Sequence, residues 1–121
     1  MRQPDPTPET TFFWEIAEPF LADPATGIGT LMQFPCLRVH GNFFATCDHR
    51  TGDLIVKLPR GRVTQLIDEG RARPFAPAGR TFKEWATVPE RDEAIWEALL
   101  TEARAYAAGR SSTTEPTTNT T

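Results

Sequence analysis

The spacing of apolar residues changes repeatedly along the chain, and each change predicts an element. Phe12, Phe13, Ile16 and Ala17 recur at helical intervals. Thr7-Pro8-Glu9 before them supplies a cap, a proline suited to the first helical position and an early acid. Pro19 must end or kink this helix, and Asp23-Pro24 closes the region. The pattern then becomes that of strands. Gly27 to Phe34 predicts a first one. Leu37 to His40 alternates, Gly41-Asn42 offers a two-residue turn, and Phe43 to Cys47 returns. His49 to Asp53 is a second turn, and Leu54 to Leu58 is the strongest strand by β-branched content.

Helical spacing resumes from Pro59 to Glu69, with Val63, Leu66 and Ile67 inward and Gly70 as the stop. Arg73 to Ala76 and Glu84 to Val88 predict two more strands joined by a turn over Pro77 to Arg80. Pro89 then opens a last helix to about Ala108. Its stripe is Ile95, Trp96, Leu99, Leu100, Ala103, Tyr106 and Ala107, and Gly109 ends it. The order is one helix, three or four strands, a helix, two strands and a helix. This predicts a two-layer α+β domain over residues 8–109, an antiparallel sheet with its helices on one face. Residues 1–7 are expected to form a loose arm. The Ser/Thr-rich residues 110–121 are expected to be a disordered tail, because they hold no large apolar side chain to offset ordering entropy.

Composition sharpens this picture. Hydrophobic residues are 39% and twelve are aromatic (Phe 8, Trp 3, Tyr 1), enough for a modest core. No apolar run reaches the ~18 residues that span a bilayer. The N-terminus lacks a basic start and an apolar stretch, so the expected location is cytoplasmic, with no membrane partner. The net charge of −3 is uneven: residues 37–91 carry +4 and the remainder −7. A basic centre of this size fits either an anion-facing surface or strands whose arginines pair with helix acids.

The predicted hairpin assigns faces. A Gly41-Asn42 turn sets His40 opposite Phe43, Arg38 opposite Ala45 and Cys36 opposite Cys47. Opposed Cα atoms lie roughly 4.5–5.5 Å apart, which overlaps disulfide geometry, so Cys36 and Cys47 form a candidate redox pair. Two reduced thiols filling small spaces are the simpler reading. The spacing argues against a zinc site: Cys36 and His40 are about 13 Å apart along a strand, at ~3.3 Å per residue, which leaves only Cys36, Cys47 and His49 able to converge. Leu37, Val39, Phe44 and Thr46 are expected on the core face. Arg38, His40 and Phe43 lie on the other face with Cys36, Ala45 and Cys47, as candidate sheet contacts for a protein, a second subunit or single-stranded nucleic acid.

Lys57, Arg60 and Arg62 surround the free amides at the start of the second helix, and Arg80 and Lys83 extend the patch if their loop folds nearby. These five are the candidate anion or nucleic-acid contacts, although no P-loop is present. Trp14, Trp85 and Trp96 are expected to anchor the core, with ligand stacking by Trp85 as the alternative. Neither histidine adjoins a nucleophile in a recognisable motif, and no dinucleotide fingerprint occurs. The expectation is no catalytic residue, no metal and no cofactor.

An ordered series of segments resembles the TfoX/Sxy N-terminal domain family, which is related to the YjbR/MmcQ group. The series is Leu37-Arg-Val-His-Gly-Asn-Phe-Phe-Ala45, Leu54 to Pro59, Val63 to Gly70, Arg73-Pro-Phe75, Lys83 to Val88, and Ala103-Arg-Ala-Tyr106. Where that family has Met-Phe-Gly, this chain has Leu31-Met32-Gln33. The resemblance implies a secretion-chaperone-like α+β fold and a non-enzymatic regulatory domain acting on a macromolecular partner. A small-molecule or anion-binding module and a homodimeric chaperone-like adaptor are the alternatives.

Overall fold

Proline at position 19 cannot donate to an α-helical ladder, and the chain answers by changing helix type. In the computed structural model, which describes residues 8–31, 34–76 and 79–111, α1 spans Thr11–Ala17 and Glu18–Ala22 continue as a 3-10 helix. The start is later than the Thr7-Pro8-Glu9 signal predicts. Residues 8–10 form a turn, and the amide of Trp14 donates to the Thr10 carbonyl at 3.2 Å.

The strands are β1 (Thr26–Leu31), β2 (Phe34–Val39), β3 (Asn42–Cys47), β4 (Leu54–Lys57), β5 (Arg73–Phe75) and β6 (Phe82–Val88). Helix α2 (Arg60–Asp68) lies between β4 and β5, and α3 (Glu93–Ser111) follows β6. The six strands form one antiparallel sheet in the order β1-β2-β3-β4-β6-β5. The α+β prediction is met, with adjusted boundaries. The expected single strand from Gly27 to Phe34 ends at Leu31, and Phe34 already belongs to β2. The last helix begins at Glu93 rather than Pro89. Asp92 caps it: its Oδ1 accepts from the Ile95 amide at 3.0 Å and its carbonyl from Trp96 at 2.9 Å. The expected arm (1–7) lies outside the described residues, as do Pro77 and Ala78 of the expected turn and all of the expected tail beyond Ser111.

The hairpin register is the main correction. The turn is His40-Gly41, with φ of 50° and 85°, not Gly41-Asn42. Both central residues take positive φ, as the hairpin turn that matches strand twist requires. Val39 therefore faces Asn42 and Arg38 faces Phe43. The register then shifts between Leu37 and Arg38, so that Leu37 faces Ala45 and Phe44 is the extra residue of a bulge. Phe44 and Ala45 both enter the core, as does Cys47, while Thr46 turns outward with its partner Ile55. The predicted faces for Ala45, Thr46 and Cys47 are thus reversed, because a one-residue slip exchanges the two sides of a strand.

All helices contribute to one core on one side of the sheet. Trp96, Leu100 and Ala103 of α3, Leu66 of α2 and Phe13 of α1 pack with Leu37, Leu54, Val56 and Ala86. Helix α3 lies over β2, β3 and β4, and α2 over β5 and β6. Trp96 is fully buried and its indole N–H donates to the Glu90 carbonyl at 2.6 Å. Burying an aromatic of this size contributes about 4–6 kcal/mol of transfer free energy before entropy is counted. Among the described residues, no helix is long and apolar enough to cross a membrane.

Candidate functional site: an aromatic and basic groove on the helix-free sheet face

With the helices on one side, alternation sends every second strand residue to the opposite side. Arg38 pairs with Phe43, Thr46 with Ile55, Ile55 with Thr87, and Lys57 with Trp85, and these cross-strand rows face away from the helices. They form an open groove of about 600 Å³. Phe34, Phe43, Ile55, Phe75, Phe82 and Trp85 supply its apolar lining, and Lys57, His49 and Arg50 its basic groups. Phe34 and Phe82 are 39% and 36% exposed, an unusual state for phenyl rings on a sheet.

The rings fall into two groups. At one end Phe34 stacks on His49, with centroids 4.0 Å apart and planes 20° from parallel. At the other, Phe75 lies 5.9 Å from Phe82 and 6.3 Å from Trp85. This second group depends on an irregularity between β5 and β6. Pro74 faces Ala86, but Phe75 faces Phe82, which brings Phe82 to the rim. Two cations lie beside rings of this second group. The Lys57 ammonium is 6.0 Å from the Trp85 centroid, and the Arg80 guanidinium 5.6 Å from that of Phe82.

The groove is electrostatically one-sided. Arg73 lies in the same cross-strand row as Thr87 and Ile55, adding a further base to that face. Among the described residues of the lining the one acid is Asp48. Burial pushes its carboxyl upward, but the amides of Arg50 and Thr51 and the Arg50 guanidinium outweigh burial and hold it below the usual range. Its charge is spent within the β3–β4 turn, where Oδ1 accepts from Arg50 N at 2.8 Å and sits 3.6 Å from Arg50 Nε.

The structure divides the residues predicted from sequence. Phe43 lines the groove, its ring lying against Gly29 of β1. Arg38 is exposed on the same face and also flanks Gly29. His40 is not on the face, since it forms the hairpin turn. Lys57 lines the groove, and Arg80 borders it beside the Phe82 ring. Lys83 is exposed on β6, and Arg60 is exposed at the start of α2, outside the groove lining. Arg62 is engaged elsewhere: Nε and Nη2 donate to the two carboxylate oxygens of Glu102 on α3 at 2.9 and 3.1 Å, and Nη1 to Gln65 at 2.9 Å. Trp14 and Trp96 are core residues as expected, but Trp85 is half-exposed in the groove. Sequence reading missed Phe34, His49, Arg50, Phe75, Phe82 and Arg73. Phe34 was assigned to the end of the first strand rather than to the second, and the pairing of Phe75 with Phe82 depends on an irregularity with no local signature.

The expected opposition of Cys36 to Cys47 fails with the register. Leu37 and Cys47 side chains join the core, so alternation turns Cys36 to the other face. Both thiols are free and buried. Burial pushes each up to about 12, so they stay protonated at neutral pH and are poor nucleophiles. The Cys36 thiol donates to the Ala45 carbonyl at 3.2 Å. Among the described residues, no group of three His, Cys, Asp or Glu is placed to hold a metal ion. Compared with known proteins, the chain matches no family model, no curated protein and no solved structure.

Proposed function

We propose that this chain is a non-enzymatic binding domain that receives an anionic partner on the helix-free face of its sheet. One observation carries the reading: exposed aromatic rings and unopposed cations occupy the same open groove. Rings left in water at Phe34 and Phe82 lose transfer free energy that a docked partner would recover. Lys57, with Arg73 and Arg80 at the border, attracts anions to the same place, where Asp48, the acid among the described lining residues, is paired with Arg50. The cysteines are protonated, and His49 is stacked on Phe34 rather than set beside a nucleophile. The resemblance to the TfoX N-terminal family supports a regulatory setting for such binding, in the cytoplasm.

Anion capture at the start of α2 is the weaker alternative, since Arg62 is bound to Glu102. Retention on a heparin column separates the two sites. Lys57→Glu and Arg60→Glu change the net charge equally, and both positions are on the surface. The proposal expects Lys57→Glu to elute at clearly lower salt than Arg60→Glu. Equal elution of the two variants, or a wild-type chain that passes through at low ionic strength, refutes it.

A further inference from the structure

We infer that the anionic partner is single-stranded nucleic acid, bound with its bases stacked on the groove's rings and its phosphates on the flanking cations. This rests on the function proposed above and adds the partner's chemistry. The groove and its border set positive charge beside rings, Trp85 with Lys57 and Phe82 with Arg80, and add the stacked rings of Phe34 and His49. A nucleotide chain carries the complementary repeat, a flat apolar base and one negative phosphate per unit. Bases stack on aromatic side chains without regard to sequence, and basic grooves track the backbone.

Dimensions agree. From β2 across β3, β4 and β6 to β5 is four strand spacings, about 19 Å. At the ~3.4 Å rise of stacked bases this accommodates on the order of five nucleotides. A double helix fits poorly, because its base faces are covered by neighbouring pairs and leave the rings of Phe34 and Phe82 without planar partners. A second copy of this chain also fits poorly. Symmetric pairing of the two faces sets Lys57, Arg73 and Arg38 against their own kind. An acidic peptide meets the charges but offers no succession of flat faces.

Trp85 provides the assay. Trp14 and Trp96 are 4% and 0% exposed, so quenching by a ligand in the groove reports Trp85. The intact chain is titrated with short oligothymidylate, the matching duplex, heparin and polyglutamate, at low and moderate salt. The inference expects saturable quenching by oligothymidylate, much weaker binding of the duplex, and affinity that falls steeply with salt. Phe34→Ala, at an exposed position, is expected to weaken the oligonucleotide roughly tenfold while leaving heparin retention nearly unchanged. If heparin or polyglutamate binds in the groove while oligothymidylate does not, the nucleic-acid inference fails and the anionic-partner reading stands. The inference also fails if Phe34→Ala has no effect, or if the duplex binds as tightly as the single strand. Absence of binding by every polyanion overturns both.

Discussion

Replacing Arg62 by alanine separates a structural arginine from a ligand-binding one. The guanidinium joins α2 to α3 through two parallel hydrogen bonds to Glu102, at 2.9 and 3.1 Å. The two side chains are 27% and 40% exposed, so solvent screens the pair substantially. Exposed pairs contribute about 0.2–1 kcal/mol, and the bidentate geometry favours the upper end of that range. The expected coupling energy between Arg62→Ala and Glu102→Ala in a double-mutant cycle is therefore about 0.5–1 kcal/mol. Arg62→Ala alone also loses the bond to Gln65 and the packing of its stem. A total near 1 kcal/mol lowers Tm by roughly 4–8 °C in a domain of this size. Urea unfolding of the wild type, both single variants and the double variant measures the coupling, and heparin retention of the same proteins measures anion binding. The reasoning expects a stability loss with retention close to wild type. A coupling energy indistinguishable from zero refutes it, as does a loss of retention as large as that of Lys57→Glu.

Other consequences follow from the buried thiols and the turns. Because burial raises Cys36 and Cys47 to about 12 from 9.0, the stability they allow is present below about pH 9 and lost as pH rises beyond it. Cys36→Ala should flatten the alkaline fall in stability measured by urea unfolding between pH 8 and 11, and an unchanged slope contradicts this. Asp48 is shifted the other way, so its contribution is present above its ordinary value of 3.8 and lost as pH falls through its lower folded value. Asp48→Asn should therefore lose stability at pH 7 and show a shallower acid limb; parallel acid limbs would show that the turn does not depend on the charge. Gly52 has φ of +82°, and a Cβ there meets the Glu9 carbonyl oxygen and Arg91 Nη2. Gly52→Ala should cost at least ~2 kcal/mol, since strain at positive φ adds to the clash with backbone. A loss under 0.5 kcal/mol in urea unfolding would show that the residues around Glu9 do not pack as described.

What the sequence made legible depended on the range of the signal. Helices α2 and α3 were readable because their apolar stripes are local, although α3 runs through the expected stop at Gly109 to Ser111, and β4 was readable from its Ile55-Val56 pair. The start of α3 was misplaced because Pro89 and Asp92 both resemble helix openings, and only Asp92 has its side chain on an amide of the first turn. The faces of β3 were misread for a different reason. Taking Gly41-Asn42 rather than His40-Gly41 as the turn changes the partners but not the faces, since a regular hairpin on either turn puts Leu37, Val39, Phe44 and Thr46 on one side. Placing Phe44 and Ala45 together in the core requires a bulge, which period-two reading cannot express. Trp85 was placed in the core because tryptophan usually belongs there. Its neighbour Ala86 took that position instead, opposite Val56 under the helices.

The same two irregularities explain why a groove exists at all. In a regular hairpin, a Val39–Asn42 pairing would put Leu37 opposite Phe44 and send Ala45 outward. The β2–β3 bulge returns Ala45 to the helix side beneath α3 and leaves Thr46, a small side chain, on the open face. The β5–β6 irregularity brings Phe82 opposite Phe75 at the far side. Small residues in the middle with rings at both ends make a depression rather than a flat sheet. Charge is distributed to match. Glu93, Glu97 and Glu102 lie on α3 in the helical layer, while Lys57, Arg73 and Arg80 border the groove. An approaching polyanion is therefore repelled by one layer and attracted by the other, so that orientation is decided before contact. A sheet that needed only to be soluble on this side would carry threonine and lysine at the positions of Phe34 and Phe82. Keeping rings there forgoes stability in the free domain, and a surface that covers them recovers that loss.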